Sequence, residues 1–299
     1  MLRAAKPRVR AAMLVAIAAL VLLTALLGLP GASGATTAPT CGGEIVKKPT
    51  GVAWACTFDE EFNGTALDRT KWVPQQTVTS GYTTGALGSK VCYIDSPNVI
   101  KESGGYLSLL VRRETKQFKC GNWYTPFDGG TISTYGKFGQ AYGRFEIRAK
   151  FPATTVRGLH AALWMWPVNP TKYGAEPKSG EIDIAEQYSN MPNVAAPYIH
   201  YVSKVKDTNV TNWNCAITPG AFSTYVLTWT TTTLTISING KTCVQDTWVP
   251  AAPLVAPQPF DSPFFMVLTQ GLGGIGTDSY VSATPLPATT QVDYVRIWK

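Results

Sequence analysis

Histidine is nearly missing from this chain, with two residues, His160 and His200, among 299. The six cysteines, Cys41, Cys56, Cys92, Cys120, Cys215 and Cys243, show no CxxC spacing and no histidine at metal-ligand distance. A cysteine-built metal site is thereby excluded, and an even count in an exported chain reads as disulfides. Sequential pairing, Cys41–Cys56, Cys92–Cys120 and Cys215–Cys243, is expected because each bridge then closes a short loop. Charge is sparse, and no Lys/Arg cluster interleaved with aromatics occurs, so nucleic acid is excluded as a partner. There is no internal repeat, no low-complexity tract and no helical period of apolar residues.

One long apolar run exists, and it lies at the N-terminus. Arg3, Lys6, Arg8 and Arg10 precede the stretch Ala11 to Leu29, which leads into Pro30 and the small residues Gly31 to Ala35. That order predicts a secretory signal peptide over residues 1–35, an uncleaved signal anchor being the alternative reading. Residues 36–51 read as a linker or N-terminal extension. Setting those four basic residues aside leaves 22 Lys+Arg against 19 Asp+Glu, a net of +3 in place of +7. A neutral or weakly charged ligand suits such a surface, and a secreted monomer with no stable membrane association is expected.

What the chain has in abundance is short Val/Ile/Thr/aromatic runs cut by Gly, Pro, Asn and Asp about every ten residues. Examples are Tyr106-Leu107-Ser108-Leu109-Leu110-Val111, Phe145-Glu146-Ile147-Arg148-Ala149 and Leu234-Thr235-Ile236-Ser237-Ile238, the last followed by the hairpin signal Asn239-Gly240. This pattern predicts one antiparallel all-β domain over residues 52–299.

The informative segment is Gly180-Glu181-Ile182-Asp183-Ile184-Ala185-Glu186. In a strand, residues two apart share a face, so Glu181 and Asp183 point one way and Ile182 points to the core. Glu186 has the wrong parity and joins them only if a β-bulge inserts one extra residue near Ile184 or Ala185. With that bulge the two glutamates lie roughly 13 Å apart at Cα, and their side chains leave ~5 Å between carboxyls. Such a gap suits a retaining glycosidase, whereas an inverting one needs ~6.5–9.5 Å to admit a water. Three acids so close also separate in pKa, which is how a general acid is kept protonated. Taken alone, Glu-Ile-Asp-Ile is also what a solvated strand of alternating charge looks like.

The neighbouring residues favour the catalytic reading, and together they carry a resemblance. Phe58-Asp59-Glu60-Glu61-Phe62-Asn63-Gly64 through Lys71-Trp72, Tyr142-Gly143-Arg144-Phe145-Glu146-Ile147-Arg148, the carboxylate segment and Val292-Asp293-Tyr294-Val295-Arg296-Ile297 occur in the order of glycoside hydrolase family 16. The sequence resembles that family over nearly the whole mature chain. The resemblance implies a β-jelly-roll of two antiparallel sheets with a concave substrate cleft. It implies Glu181 as nucleophile, Glu186 as acid/base, and Asp183 as the helper that shares a proton with the nucleophile. Two residues between Asp183 and Glu186 is similar to the laminarinase-like branch, which cuts β-1,3-glucans.

Further positions carry over by the same resemblance. Trp164 matches the second Trp of a Trp-Pro-Ala-x-Trp pattern and suits stacking on a sugar ring, although a core Trp is equally compatible. The first Trp of that pattern is His160 here and its Pro is Ala161. Trp166 is a second sugar-platform candidate, His200 is expected near the acid/base, Asn98 is expected to contact substrate, and Gln270 is expected at the cleft edge. No cofactor is expected for catalysis. A structural calcium would use Asp293, Glu61 and the carbonyl of Gly105, the alternative being that Asp293 makes a salt bridge. The function so implied is a retaining endo-β-1,3-glucanase acting on a polysaccharide. A non-catalytic glucan-binding module, a galactan hydrolase and a transglycosylase are the alternatives.

Overall fold

The computed structural model describes residues 40–81, 91–205, 209–273 and 279–299. The expected signal peptide lies outside them, and no helix among the described residues is long and apolar enough to cross a membrane.

In chain order the strands are β1 (Cys56–Glu60), β2 (Val73–Pro74), β3 (Val91–Tyr93), β4 (Ile100–Ser103), β5 (Tyr106–Cys120), β6 (Trp123–Gly129), β7 (Thr131–Ser133), β8 (Gly143–Lys150) and β9 (Leu159–Pro167). They continue with β10 (Glu181–Tyr188), β11 (Ala196–His200), β12 (Asn209–Thr211), β13 (Ser223–Trp229), β14 (Leu234–Ile238), β15 (Lys241–Asp246), β16 (Phe264–Leu272) and β17 (Ala288–Trp298). One short helix, α1 (Thr77–Ser80), follows β2. An outer sheet runs β15-β14-β13-β8-β17-β5-β6-β3, with β1 on β17 and β4 on β5. The inner sheet runs β12-β11-β10-β9-β16-β7-β2. This is the two-sheet jelly-roll that the family resemblance implies.

Alternation explains the layering. In β8 every second residue is buried, so Phe145, Ile147 and Ala149 face inward while Arg144, Glu146 and Arg148 stay half-exposed. Leu107, Leu109, Tyr225, Leu227 and Val292 join them from the outer sheet. Leu163, Met165, Ile182, Ile199, Phe264, Met266 and Leu268 meet them from the inner sheet. Each fully buried side chain of this kind contributes about 1.5–3 kcal/mol relative to exposure. Trp229 spans the gap, its ring edge-on to Phe264 at 5.4 Å between centroids. In the inner sheet the central strand β16 is buried at all nine positions.

The three disulfides are Cys41–Cys56, Cys92–Cys120 and Cys215–Cys243, the sequential pairing. The third ties the segment after inner edge strand β12 to outer edge strand β15 and so links the edges of the two sheets. The first bears on residues 36–51, expected as a linker or N-terminal extension. Their described part, from residue 40 onward, is docked rather than a free linker: Cys41 is fully buried and Gly42 N–H donates to Asp59 at 2.9 Å.

Candidate active site

Gly180 opens the site. Its φ of +80° turns the chain from the preceding loop into β10, and a Cβ there would sit 2.8 Å from the Phe260 ring. Glycine alone fits both demands.

Along β10 the pairing register contains one extra residue. On the β9 side Asp183 faces Trp164 and Ala185 faces Leu163, so two steps of β10 match one of β9. On the β11 side Asp183 faces Tyr198 and Glu186 faces Ala196, three steps against two. Ile184 and Ala185 both turn into the core, each with no exposed surface. The consequence is the one the spacing demands: Glu181, Asp183, Glu186 and Tyr188 all point to the concave face.

Glu181, Asp183 and Glu186 open into a cleft of about 840 Å³, also lined by His160, Ala162, Trp164, Trp166, Tyr135 and Phe265. Across the ladder Tyr188 stands opposite His160 and Glu186 opposite Ala162. Trp164 donates from Nε1 to Thr269 Oγ1 at 3.1 Å and lies edge-on to Trp166 at 5.9 Å. Both tryptophans therefore present ring surface to the cleft beside Asp183 and Glu181.

Glu186 is flanked on both neighbouring strands by alanines, Ala162 and Ala196. Its carboxylate is held by larger groups one pair further along. His160 Nε2 lies 2.8 Å from Oε1, and the Tyr188 hydroxyl donates to Oε2 at 3.1 Å. Asp183, 5 % exposed, meets His200 Nε2 at 2.9 Å through Oδ2.

Burial dominates the electrostatics. The Glu181 carboxyl is pushed up to about 9, first by burial and then by the charge of Asp183, with His200 opposing. Asp183 is raised to about 6 by burial, while its hydrogen bond from His200 draws it down. Burial likewise raises Tyr188 and lifts Tyr198 to about 12, the charge of Glu186 adding to each. Raised carboxyls have a consequence for stability: the folded chain keeps protons that the unfolded chain releases. The stability this contributes is complete below about 4, near the ordinary carboxyl values, and is lost as pH rises through about 6 and then about 9. Glu181→Gln is expected to remove much of that loss. Its melting temperature should exceed that of the wild type by about 5 °C at pH 9, corresponding to about 2 kcal/mol, with almost no difference at pH 4. Thermal denaturation at the two pH values checks this, and an equal shift at both would contradict it.

His200 of β11 meets Asp183 and stands opposite Glu181 in the ladder, where Ala196 stands opposite Glu186. Three other expectations are corrected. Gln270 is fully buried: β16 alternates Thr269 to the cleft and Gln270 to the core. There it accepts from Thr290 Oγ1 at 2.7 Å and donates to the carbonyls of His160 and Gly271. Asn98 is exposed in the turn before β4, its N–H donating to Ser96 Oγ, and does not line the cleft. The calcium set does not fit either. Glu61 is clamped by Nε and Nη2 of Arg296 at 2.7 and 2.9 Å, and Asp293 is paired with Arg148, so neither carboxylate is free for a cation that wants six to eight oxygens. The described residues contain no group of three His, Cys, Asp or Glu that could hold a metal.

Other groups at the site went unanticipated. Tyr188 follows Glu186 by two residues and so shares its face, a signal present in the sequence. Trp213 packs on both Tyr188 and Tyr198 at 5.8 Å, and Tyr135 lies edge-on to Phe265. Both arrive from loops, where no periodicity announces them.

The chain and its fold have counterparts among known proteins. The family described as glycosyl hydrolases family 16 matches residues 90–252, more than half of the chain. The chain is 29 % identical over 260 residues to glucan endo-1,3-beta-glucosidase A1 of Niallia circulans, covering 81 % of this chain and 37 % of that protein. It is 30 % identical over 249 residues to keratan-sulfate endo-1,4-beta-galactosidase of Sphingobacterium multivorum, covering 81 % and 54 %. It thus spans between a third and a little over half of the length of these two relatives. The X-ray structure of the laminarinase from Rhodothermus marinus superposes with a TM-score of 0.69 at 26 % identity, over 82 % of this chain and 97 % of that one. With three carboxylates gathered on the concave face of a two-sheet jelly-roll, this chain belongs to family 16 of the glycosyl hydrolases.

Proposed function

We propose that the protein is a secreted, monomeric, retaining endo-glycosidase that hydrolyses β-1,3-linked glucan by double displacement. The observation that carries the reading is the bulge at Ile184 and Ala185, which turns Glu186 to the face of Glu181 and Asp183. Glu181 attacks the anomeric carbon as Glu186 gives its proton to the departing oxygen. Water then enters, Glu186 takes its proton, and the bond from sugar to Glu181 breaks. Attack needs the negative charge on Glu181, so the proton the buried pair retains must sit on Asp183 at that moment. Burial is the first cause that raises Glu181 and the charge of Asp183 the second, so placing that proton on Asp183 removes the second and favours ionisation of Glu181.

The concave cleft with Trp164 and Trp166 beside the carboxylates suits internal segments of a neutral polysaccharide, and two relatives carry the name glucan endo-1,3-beta-glucosidase. The galactan reading has two observations in its favour, a histidine at position 160 where the related pattern has Trp and the likeness to keratan-sulfate endo-1,4-beta-galactosidase. A panel of laminarin, lichenan, agarose, keratan sulfate and xyloglucan tests the choice by release of reducing ends. Laminarin is expected to be cleaved fastest, with proton NMR of the first product showing the β-anomer before mutarotation. An initial α-anomer would rule out double displacement. Binding of laminarin without turnover would instead indicate a recognition module, and products longer than the substrate a transglycosylase.

A further inference from the structure

His160 is poised to act on Glu186 more directly than on sugar. It is 8 % exposed, its ring lies flat on Tyr188 at 4.7 Å and 16°, and its Nε2 meets Glu186 Oε1 at 2.8 Å. Its backbone is fixed as well: Gln270 donates to the His160 carbonyl at 3.3 Å, and Gln270 is itself tied to Thr290 in the outer sheet. The imidazole is thus held at its carbonyl, its ring face and its tip, an arrangement suited to aiming another group.

The two carboxylate partners differ in what they can do. Tyr188 is a phenol whose burial beside Glu186 keeps its proton in place, so it is a constant donor to Oε2. Imidazole can donate or accept at Nε2 and can carry a proton. Glu186 must be an acid in the first displacement and a base in the second, so the group on Oε1 has to serve a carboxyl and a carboxylate in turn.

We infer that His160 is a positioning residue for the acid/base, orienting Glu186 with Tyr188 and holding one exchangeable proton jointly with it. The inference rests on Glu186 being the acid/base. Proton balance is simple: the proton that leaves the pair goes to the leaving-group oxygen, and the proton that returns comes from the attacking water. Other titratable groups facing the pair are Glu181, Asp183 and Tyr188 on β10, Tyr198 and His200 on β11, and Glu176 in the preceding loop. On the other side β16 presents only the neutral Thr269 and Gly271.

Two substitutions test it. His160→Ala removes the contact, and His160→Gln keeps an N–H donor of similar reach that does not titrate. His160→Ala should lower kcat on laminarin about 10–100-fold with KM changed less than about twofold. His160→Gln should recover most of that rate near the optimum, but its kcat/KM profile should lose activity on the basic side about one pH unit earlier than the wild type, since a jointly held proton dissociates as a property of the pair. Placed in a Glu181→Gln background, His160→Ala should leave the Kd for a laminarin oligosaccharide within about twofold. A weakened Kd, or a pH profile of His160→Gln that coincides with the wild type, overturns the inference and makes His160 a sugar contact or a structural residue. Glu186→Ala with added azide is the companion control. Rescue there with no shift in His160→Gln defeats this inference alone; absence of rescue defeats the acid/base assignment itself.

Discussion

Glu186→Ala is expected to lower kcat/KM on laminarin by about 10³-fold while leaving an aryl glycoside with a good leaving group within about tenfold of the wild type. The reason is local. Glu186 is the carboxylate with hydrogen bonds to both oxygens, from His160 and Tyr188, and with an alanine on each neighbouring strand. Its oxygens are therefore oriented while the space beside them stays open for a departing sugar oxygen. A phenol with an acidic proton leaves unaided, so its departure does not miss the acid. Azide should then restore turnover in Glu186→Ala by entering the vacated space and attacking the glycosyl-enzyme without a base, giving a β-glycosyl azide. Glu181→Ala should lose activity on both substrates, because no covalent intermediate forms. Equal losses on laminarin and the aryl glycoside in Glu186→Ala, with no azide product, would refute the assignment of roles.

Deletion of Ala185 is expected to lower laminarin hydrolysis about 100-fold or to shift the preferred substrate, with the fold kept. Ala185 and Ile184 are the two residues set against the single step of β9 at Leu163, and both side chains are buried. Removing one restores strict alternation, so Glu186 still faces the cleft. Its position along the strand relative to Glu181 changes nonetheless, and a displacement of about 1 Å between reacting groups is enough for a hundredfold loss. Circular dichroism and melting temperature report the fold, and the substrate panel reports the chemistry. Unchanged hydrolysis of laminarin would mean that the bulge does not set the catalytic spacing.

Much of this site was legible before any coordinates because a strand has a period of two. Parity alone put Glu181 and Asp183 together, required a bulge for Glu186, and would also have assigned Tyr188. The same rule was available for Gln270, whose place between Thr269 and Gly271 on a strand carries it into the core; a resemblance to a cleft-edge position outweighed it. Asn98 failed for the opposite reason, since it sits in a turn where no period exists. The disulfide order followed from short loops, and the described structure contains those pairs.

By itself, then, the sequence determined the all-β architecture, the gathering of three carboxylates and the need for one extra residue among them, all consequences of short-range backbone geometry. The tertiary structure alone decided which histidine serves which carboxylate, that Glu61 and Asp293 are occupied by arginines, and that Trp213 and Tyr135 reach the site from loops. These are contacts between residues distant in the chain. Their partners are chosen by strand order and ladder register, and no local pattern of residues encodes which strands become neighbours.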